Sequence, residues 1–238
     1  MNTILFDLDG SLLPLREDEF IRIYFAGLSK RMLALGYERD RFIAALWRGI
    51  TAMRANDGRA TNEEVFWRVF PALLGSTRAE LEEVFLDYYR EDFPATKAAA
   101  FPTPYAQKCI NLLKDKGYRL VLATNPLFPP LATYQRIRWA GLDPEDFLLV
   151  TTIDNSRYCK PNPKYYEDIL ATVNATPAES LMVGNDAEED MAAAALGCAT
   201  YLLTDYLINE KNADISSFRH GRMADFYKFV LNLPDVGK

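Results

Sequence analysis

Histidine is nearly missing from this chain: His220 is the only one in 238 residues. That argues against a Ser-His-Asp triad and against a multi-histidine zinc site, since both need imidazoles at defined places. His220 falls in a polar C-terminal stretch and reads as a surface residue. Cysteine is scarce as well. Cys109, Cys159 and Cys198 are odd in number and show no paired, metal-type spacing. They read as reduced thiols, with Cys198 in the core and Cys159 packed, and the expected location is cytoplasmic. No apolar run approaches the roughly 20 residues of a membrane helix. The first residues carry no basic segment and enter a strand at once, so no signal peptide is expected. Positive charge is also in deficit. The chain has 27 Lys and Arg against 33 Asp and Glu, a formal net charge of −6. This argues against general nucleic-acid binding. It leaves room for a small anionic substrate held locally by lysine and Mg²⁺.

What is present begins at the start. In Ile4-Leu5-Phe6-Asp7-Leu8-Asp9-Gly10-Ser11 an apolar run ends in two aspartates one residue apart. Thr3 to Phe6 predicts a short buried strand of a parallel sheet, and Gly10 permits a sharp turn after it. Both carboxylates then stand at the carboxyl end of a strand, the edge where open α/β sheets bind ligands. Residues i and i+2 of a strand point the same way, so Asp7 and Asp9 can face one pocket. Two like charges so close call for a cation. The same eight residues also fit an ordinary strand with an Asp-Gly turn, so the rest of the chain decides.

After a loop, Leu12 to Arg16, the pattern from about Glu17 to Phe93 is helical throughout. Phe20, Tyr24, Leu28 and Met32 recur every four residues, as do Phe42, Leu46 and Ile50. Thr61 with Glu64 and Thr77 with Glu80 have the spacing of capping boxes. Four helices joined by short connections predict a small bundle. Pro94, Pro102 and Pro104 mark the return hinge. Beyond it, strands (Tyr118–Ala123, Phe147–Thr152, Leu181–Gly184, Ala199–Leu203) alternate with helices. The helices are Pro104 to Gly117, Leu131–Ala140, Asn162–Val173, Asp186–Leu196 and Arg222–Leu233. Strand-helix alternation predicts an α/β fold, a Rossmann-like parallel sheet with helices on both faces. The expected division is a core of 1–15 and 95–238 with a helical cap of 16–94 inserted in it.

Four sets of polar groups fall just past strand ends: Asp7 and Asp9; Thr124 and Asn125; Lys160; and Asn185, Asp186 and Asp190. In a parallel sheet these edges lie on one side. Asp186 and Asp190 are four apart, on one face of the expected helix and near its N-terminus. Hard carboxylate oxygens suit Mg²⁺, commonly held by few carboxylates plus phosphate and water. A carboxylate can attack phosphorus and a second can donate and then accept a proton. Lysine and a threonine hydroxyl can neutralise and orient the phosphoryl oxygens.

These segments resemble the four motifs of the haloacid dehalogenase superfamily, in order and spacing, over nearly the whole chain. The motifs are Asp7-Leu8-Asp9-Gly10-Ser11, Thr124-Asn125, Lys160-Pro161 and Gly184-Asn185-Asp186-Ala187-Glu188-Glu189-Asp190. The resemblance implies a phosphatase with a helical cap after the first motif. Asp7 would be the nucleophile and a Mg²⁺ ligand. Asp9 would be general acid and base, with its backbone carbonyl on the metal. Thr124 would bind the phosphoryl group, and Lys160 would balance charge between phosphate, Asp7 and Asp190. Gly10, Ser11 and Asn125 are expected to bind substrate, with Asn185 and Asp190 in support. The fourth motif departs from the family, because many members place aspartate where this chain has Asn185. Two registers are therefore open; Asp186 is preferred as the ligand because an anion holds Mg²⁺ better than an amide.

The expected reaction is Mg²⁺-dependent hydrolysis of a small phosphomonoester, a phosphorylated metabolite, by a monomer or homodimer. A sugar phosphomutase, a dehalogenase and a non-catalytic binding module are the alternatives on this fold. Phosphonate hydrolysis would require a cap lysine, and Lys30, the only one in the insert, reads as surface. Arg16, Trp47, Arg48 and Arg54 are candidates to face the pocket, with ordinary helix surface or cap core as the competing reading. The aromatic content of the insert suits an apolar leaving group and suits plain packing equally.

Overall fold

Strand β1 (Thr3–Phe6) is buried at every residue, and its pleat divides the core in two. Ile4 and Phe6 pack in one cluster with Ile110, Leu113, Phe226 and Val230, from helices α5 (Pro104–Asp115) and α8 (Met223–Leu231). Leu5 points the other way and packs with Tyr165, Tyr166 and Ile169 of α7 (Pro163–Thr172). Helices thus cover both faces of the sheet. Truncating Phe6 to Ala would remove contacts worth about 3–5 kcal/mol.

The computed structural model describes residues 1–236. Its sheet also contains β2 (Arg119–Leu122), β3 (Leu149–Val150), β4 (Ser180–Gly184), β5 (Ala199–Leu203) and β6 (Arg219–Gly221), in the order β3-β2-β1-β4-β5-β6. Every neighbouring pair is parallel. Leu5 stands opposite Val121 on one side and Met182 on the other. The carboxyl ends of β1, β2 and β4 therefore open along one edge.

Helices α1 (Glu17–Ala34), α2 (Arg39–Arg54), α3 (Asn62–Leu74) and α4 (Arg78–Asp87) follow β1. Phe20, Tyr24, Leu28 and Met32 form the buried stripe of α1. Thr61 and Glu64 close a reciprocal cap on α3, at 3.2 and 2.8 Å. At α4 the Glu80 carboxylate accepts from the Thr77 backbone N–H at 2.9 Å. Gly49 lets α2 and α3 approach, since a Cβ there would lie 2.7 Å from the Phe66 ring. The chain returns through a π-helical turn (Tyr88–Asp92) and a 3₁₀ segment (Phe93–Ala99). The outgoing and returning connections are tied together: Arg16 N–H donates to Ala99 O at 3.0 Å and Phe101 N–H to Pro14 O at 2.8 Å. Helix α6 (Pro130–Trp139) completes the framework.

Three expectations are corrected. The helix predicted over Asp186–Leu196 is a turn followed by a short 3₁₀ segment, Met191–Leu196. The Asp186 carboxylate accepts from the N–H groups of Glu188 and Glu189, at 2.7 and 2.8 Å, as a cap does, but turn and 3₁₀ backbone follow, so Asp186 and Asp190 do not share a regular helical face. The strand predicted over Phe147–Thr152 is only two residues long; past it the Thr152 N–H donates to Asn155 Oδ1 at 2.9 Å and the Ile153 N–H turns to Phe128 O at 3.0 Å. β6 was not anticipated; it contains His220, which is exposed. Among the described residues no helix is long and apolar enough to cross a membrane.

Candidate active site

The site grows from the end of β1. The Asp7 N–H donates to Val183 O at 2.9 Å, which continues the pairing with β4 and fixes the first carboxylate at the sheet edge. Lys160, in the loop before α7 and 2% exposed, donates to Asp7 Oδ1 at 2.8 Å and to Asp190 Oδ1 at 2.6 Å. Burial alone would lower the Lys160 ammonium. Asp190 and Asp7 outweigh it and hold the lysine well above its ordinary value. Burial pushes the Asp190 carboxyl up against the opposing pull of Lys160. Among the described residues Asp7 Oδ2 has no hydrogen bond. One oxygen of Asp7 is thus held by a cation and the other lies open in the cleft that Asp7 lines.

Thr124 lies two residues past β2 at the same edge. Its backbone carbonyl accepts from Thr151 Oγ1 at 2.6 Å and from the Tyr165 hydroxyl at 2.8 Å, two bonds that hold the strand end in place. Its hydroxyl makes no hydrogen bond among the described residues, and the residue lines the cleft. The neighbouring Asn125 donates to Glu189 Oε2 at 2.8 Å, and its own Oδ1 is buried without a partner.

Asp9 has a partner that the sequence did not announce. The guanidinium of Arg136, on α6 and 1% exposed, pairs with Asp9 Oδ2. Arg136 also lies over the Phe128 ring, 4.5 Å from its centroid. The other Asp9 oxygen is buried and has no partner among the described residues. Burial and the Asp7 charge raise the Asp9 carboxyl above its ordinary value, while Arg136 and Lys160 pull it down. A proton on Asp9 is therefore easier to hold than on a free aspartate, as an acid that protonates a leaving oxygen requires. One signal for Arg136 was available. Ala132, Thr133, Arg136 and Ile137 form the buried face of α6, and a charged residue on an inward stripe needs a partner.

The fourth segment folds around hydrogen bonds of its own. Asn185 is 2% exposed; its Oδ1 accepts from the Ser11 hydroxyl at 2.9 Å, and its Nδ2 donates to Tyr206 O at 2.6 Å. Gly10, at φ +80°, makes room for it, since a Cβ at Gly10 would sit 2.3 Å from Asn185 Nδ2. Both ends of this amide are committed. Asp186 lines the cleft with Oδ1 capping the turn and Oδ2 free of hydrogen bonds among the described residues. Asp190 Oδ2 accepts from the Asp186 N–H at 2.9 Å, so the two carboxylates meet through the backbone.

The residues anticipated from the sequence fall into two groups. Asp7, Asp9, Gly10, Thr124, Asn125, Lys160, Asn185, Asp186 and Asp190 line one cleft. Ser11 does not; its hydroxyl is turned onto Asn185. Of the four residues considered for the cap side, Arg16, Trp47 and Arg54 line the cleft and Arg48 does not. Arg54 reaches Glu189 Oε1 at 3.1 Å.

Among the described residues no three His, Cys, Asp or Glu side chains form a metal-binding cluster. The donors still fit Mg²⁺. The carboxylates of Asp7 and Asp186 bring hard oxygens to one cleft, and the Asp9 carbonyl accepts no backbone hydrogen bond among the described residues. Two carboxylates and a carbonyl are a sufficient protein share for an ion that keeps water and takes phosphate oxygens. The committed amide of Asn185 favours Asp186 in that set.

Known proteins align with this arrangement. A family profile described as haloacid dehalogenase-like hydrolase matches residues 1–197. A phosphoglycolate phosphatase from Vibrio vulnificus strain YJ016 is 26% identical over 211 residues, covering 84% of this chain and 82% of the relative. The pyrophosphatase PpaX from Bacillus pumilus strain SAFR-032 is 22% identical over 205 residues, again 84% and 82%. A crystal structure of a HAD phosphatase from Thermococcus onnurineus superposes with a TM-score of 0.63 at 21% identity, covering 99% of this chain and 100% of that one. That likeness is one of fold.

Proposed function

The chain belongs to the haloacid dehalogenase-like hydrolases, and on that premise we propose that it is a Mg²⁺-dependent phosphatase working through a phosphoaspartyl intermediate on Asp7. The observation that carries this reading is the asymmetry of Asp7, one oxygen on Lys160 and the other open toward the cleft shared with Asp9 and Thr124. The names of the relatives, phosphatase and pyrophosphatase, support the reaction class.

The free oxygen of Asp7 attacks phosphorus while the ester P–O bond breaks. Asp9, protonated, gives its proton to the departing oxygen and becomes a carboxylate. That carboxylate then takes a proton from water as the water oxygen attacks the phosphoaspartate. The bond to Asp7 breaks, phosphate leaves, and both aspartates return to their first state. The Thr124 hydroxyl donates to a phosphoryl oxygen. Lys160 orients Asp7 between turnovers. Asp7, Asp186 and the Asp9 carbonyl would hold Mg²⁺, which offsets the negative charge gathered between Asp7 and the phosphoryl oxygens. Arg136 positions Asp9.

Residues 16–94 act in this reading as a cap over the core of 1–15 and 95–238. The hydrogen-bonded pair of connections at Arg16–Ala99 and Pro14–Phe101 supports a common hinge. The substrate is a small phosphorylated compound. Three free, buried cysteines support a reducing compartment such as the cytoplasm. The departure from the family pattern at Asn185 does not favour a non-catalytic module, because its hydrogen bonds to Ser11 and Tyr206 give that residue a structural task.

The test is release of p-nitrophenol from p-nitrophenyl phosphate with and without Mg²⁺, beside Asp7→Asn. Turnover that needs Mg²⁺ and disappears in the variant is expected. Equal turnover by the variant sinks the proposal.

A further inference from the structure

The cleft above Asp7 is much larger than a phosphoryl group needs, with a volume of about 1170 Å³. Its walls away from the sheet edge are largely aromatic. Phe20, Tyr24, Phe25, Trp47, Phe66 and Trp67 all contribute from the helical insert. Trp47 is 48% exposed and stacks on Phe25 at 5.4 Å, so a wide indole face stands open rather than buried in the bundle.

The charge of the cleft points the same way. Twelve acidic and five basic side chains line it. Each of the five cations already has a carboxylate. Lys160 holds Asp7 and Asp190, Arg136 holds Asp9, Arg54 holds Glu189 at 3.1 Å, Arg16 holds Glu19 at 3.4 Å, and Lys211 holds Glu188. The exposed pairs are individually weak and an incoming anion can compete for them. It would still enter a cleft in which acids outnumber bases by more than two to one. The helix start that faces the cleft offers no relief, because the first turn of α1 already carries Glu17, Asp18 and Glu19. Glu17 feels the crowding: burial, Asp9 and Glu189 raise its carboxyl above the ordinary value.

From the paired cations and the aromatic wall, we infer that the site takes phosphate monoesters of large apolar or aromatic alcohols that carry no second anionic group. The inference rests on the phosphatase reading above. It separates this chain from any relative whose leaving group carries a carboxylate or is a phosphate. The one phosphoryl group is accommodated at Asp7, where Lys160, Thr124 and the metal offset its charge. The remainder of the ester would lie along Trp47, Phe25 and Tyr24, where apolar surface is available and free positive charge is not.

The experiment compares kcat/KM of the Mg²⁺-loaded protein for benzyl phosphate, ethyl phosphate, 2-phosphoglycolate and pyrophosphate, by phosphate release. Benzyl phosphate should exceed ethyl phosphate by about tenfold or more, as an added apolar group in a matching pocket does. It should exceed 2-phosphoglycolate by at least about tenfold, since like charges set side by side are costly. In Trp47→Ala the benzyl-to-ethyl ratio should fall through a higher KM for the benzyl ester. In Glu189→Gln, which releases Arg54, the ratio of benzyl phosphate to 2-phosphoglycolate should narrow. Phosphate release that is equal or faster with 2-phosphoglycolate or pyrophosphate overturns this inference and leaves the phosphatase reading standing. No release from any of the four overturns the phosphatase reading and this inference with it.

Discussion

Lys160 Nζ lies 2.8 Å from Asp7 Oδ1, although 153 residues separate the two in the chain. The same ammonium reaches Asp190 at 2.6 Å, and all three side chains are almost wholly withdrawn from water. A buried pair of carboxylates around one cation is stable only as a unit, because removing the cation leaves two charges facing each other. Lys160→Met is therefore expected to cost about 3–5 kcal/mol, read from urea unfolding. Adding Asp190→Asn should recover part of that loss. A single variant as stable as the parent would show that the pair does not hold the sheet edge together.

Asp7→Asn tests chemistry apart from folding. The amide oxygen can still accept from Lys160, so the melting temperature should change little. Phosphate release should fall below about a thousandth of the parent value, as when a covalent nucleophile is removed. A melting temperature lowered along with activity would instead mark Asp7 as structural.

The Arg136–Asp9 pair makes a prediction about pH. Asp9 serves as an acid only while protonated, so kcat/KM falls as pH rises through its pKa. Burial raises that pKa and Arg136 lowers it. Without the guanidinium the acid form persists to higher pH. In Arg136→Met the alkaline limb of the kcat/KM profile should move upward, and Arg136→Lys should move it back. An unmoved limb in Arg136→Met would show that the arginine only packs against Phe128.

Asp186 and Asn185 are neighbours with different expected effects on metal. Titration calorimetry of Mg²⁺ in the presence of orthophosphate reads affinity without turnover. Asp186→Asn should weaken binding by about tenfold or more. Asn185→Ala should leave the affinity close to the parent's and instead lower stability by about 1–3 kcal/mol, because Ser11 and the Tyr206 carbonyl lose their partner. The opposite pattern would assign the metal to Asn185.

Short-range information was enough for much of this protein. The apolar run of β1, the capping residues Thr61 with Glu64 and Thr77 with Glu80, and Gly197 in its left-handed cap at φ +95° all act within a few positions of themselves. Polar residues just past strand ends were legible for a related reason. In a parallel sheet every such end lies on the same edge, so Asp7 and Thr124, with Lys160 and Asp190 in the segments that follow β3 and β4, converge once the strands are recognised. Three features were decided by contacts between distant segments. β6, a polar Arg-His-Gly, is a strand only because β5 supplies its partner. The segment Asp186–Asp190 is a turn whose backbone is pinned by a residue well along the chain: the Ile208 N–H donates to Asn185 O and the Ala187 N–H to Ile208 O, both at 2.9 Å. Whether a cation in the cleft is free or spent depends on which carboxylate the fold sets beside it, and Arg54 with Glu189 or Arg136 with Asp9 lie more than a hundred residues apart.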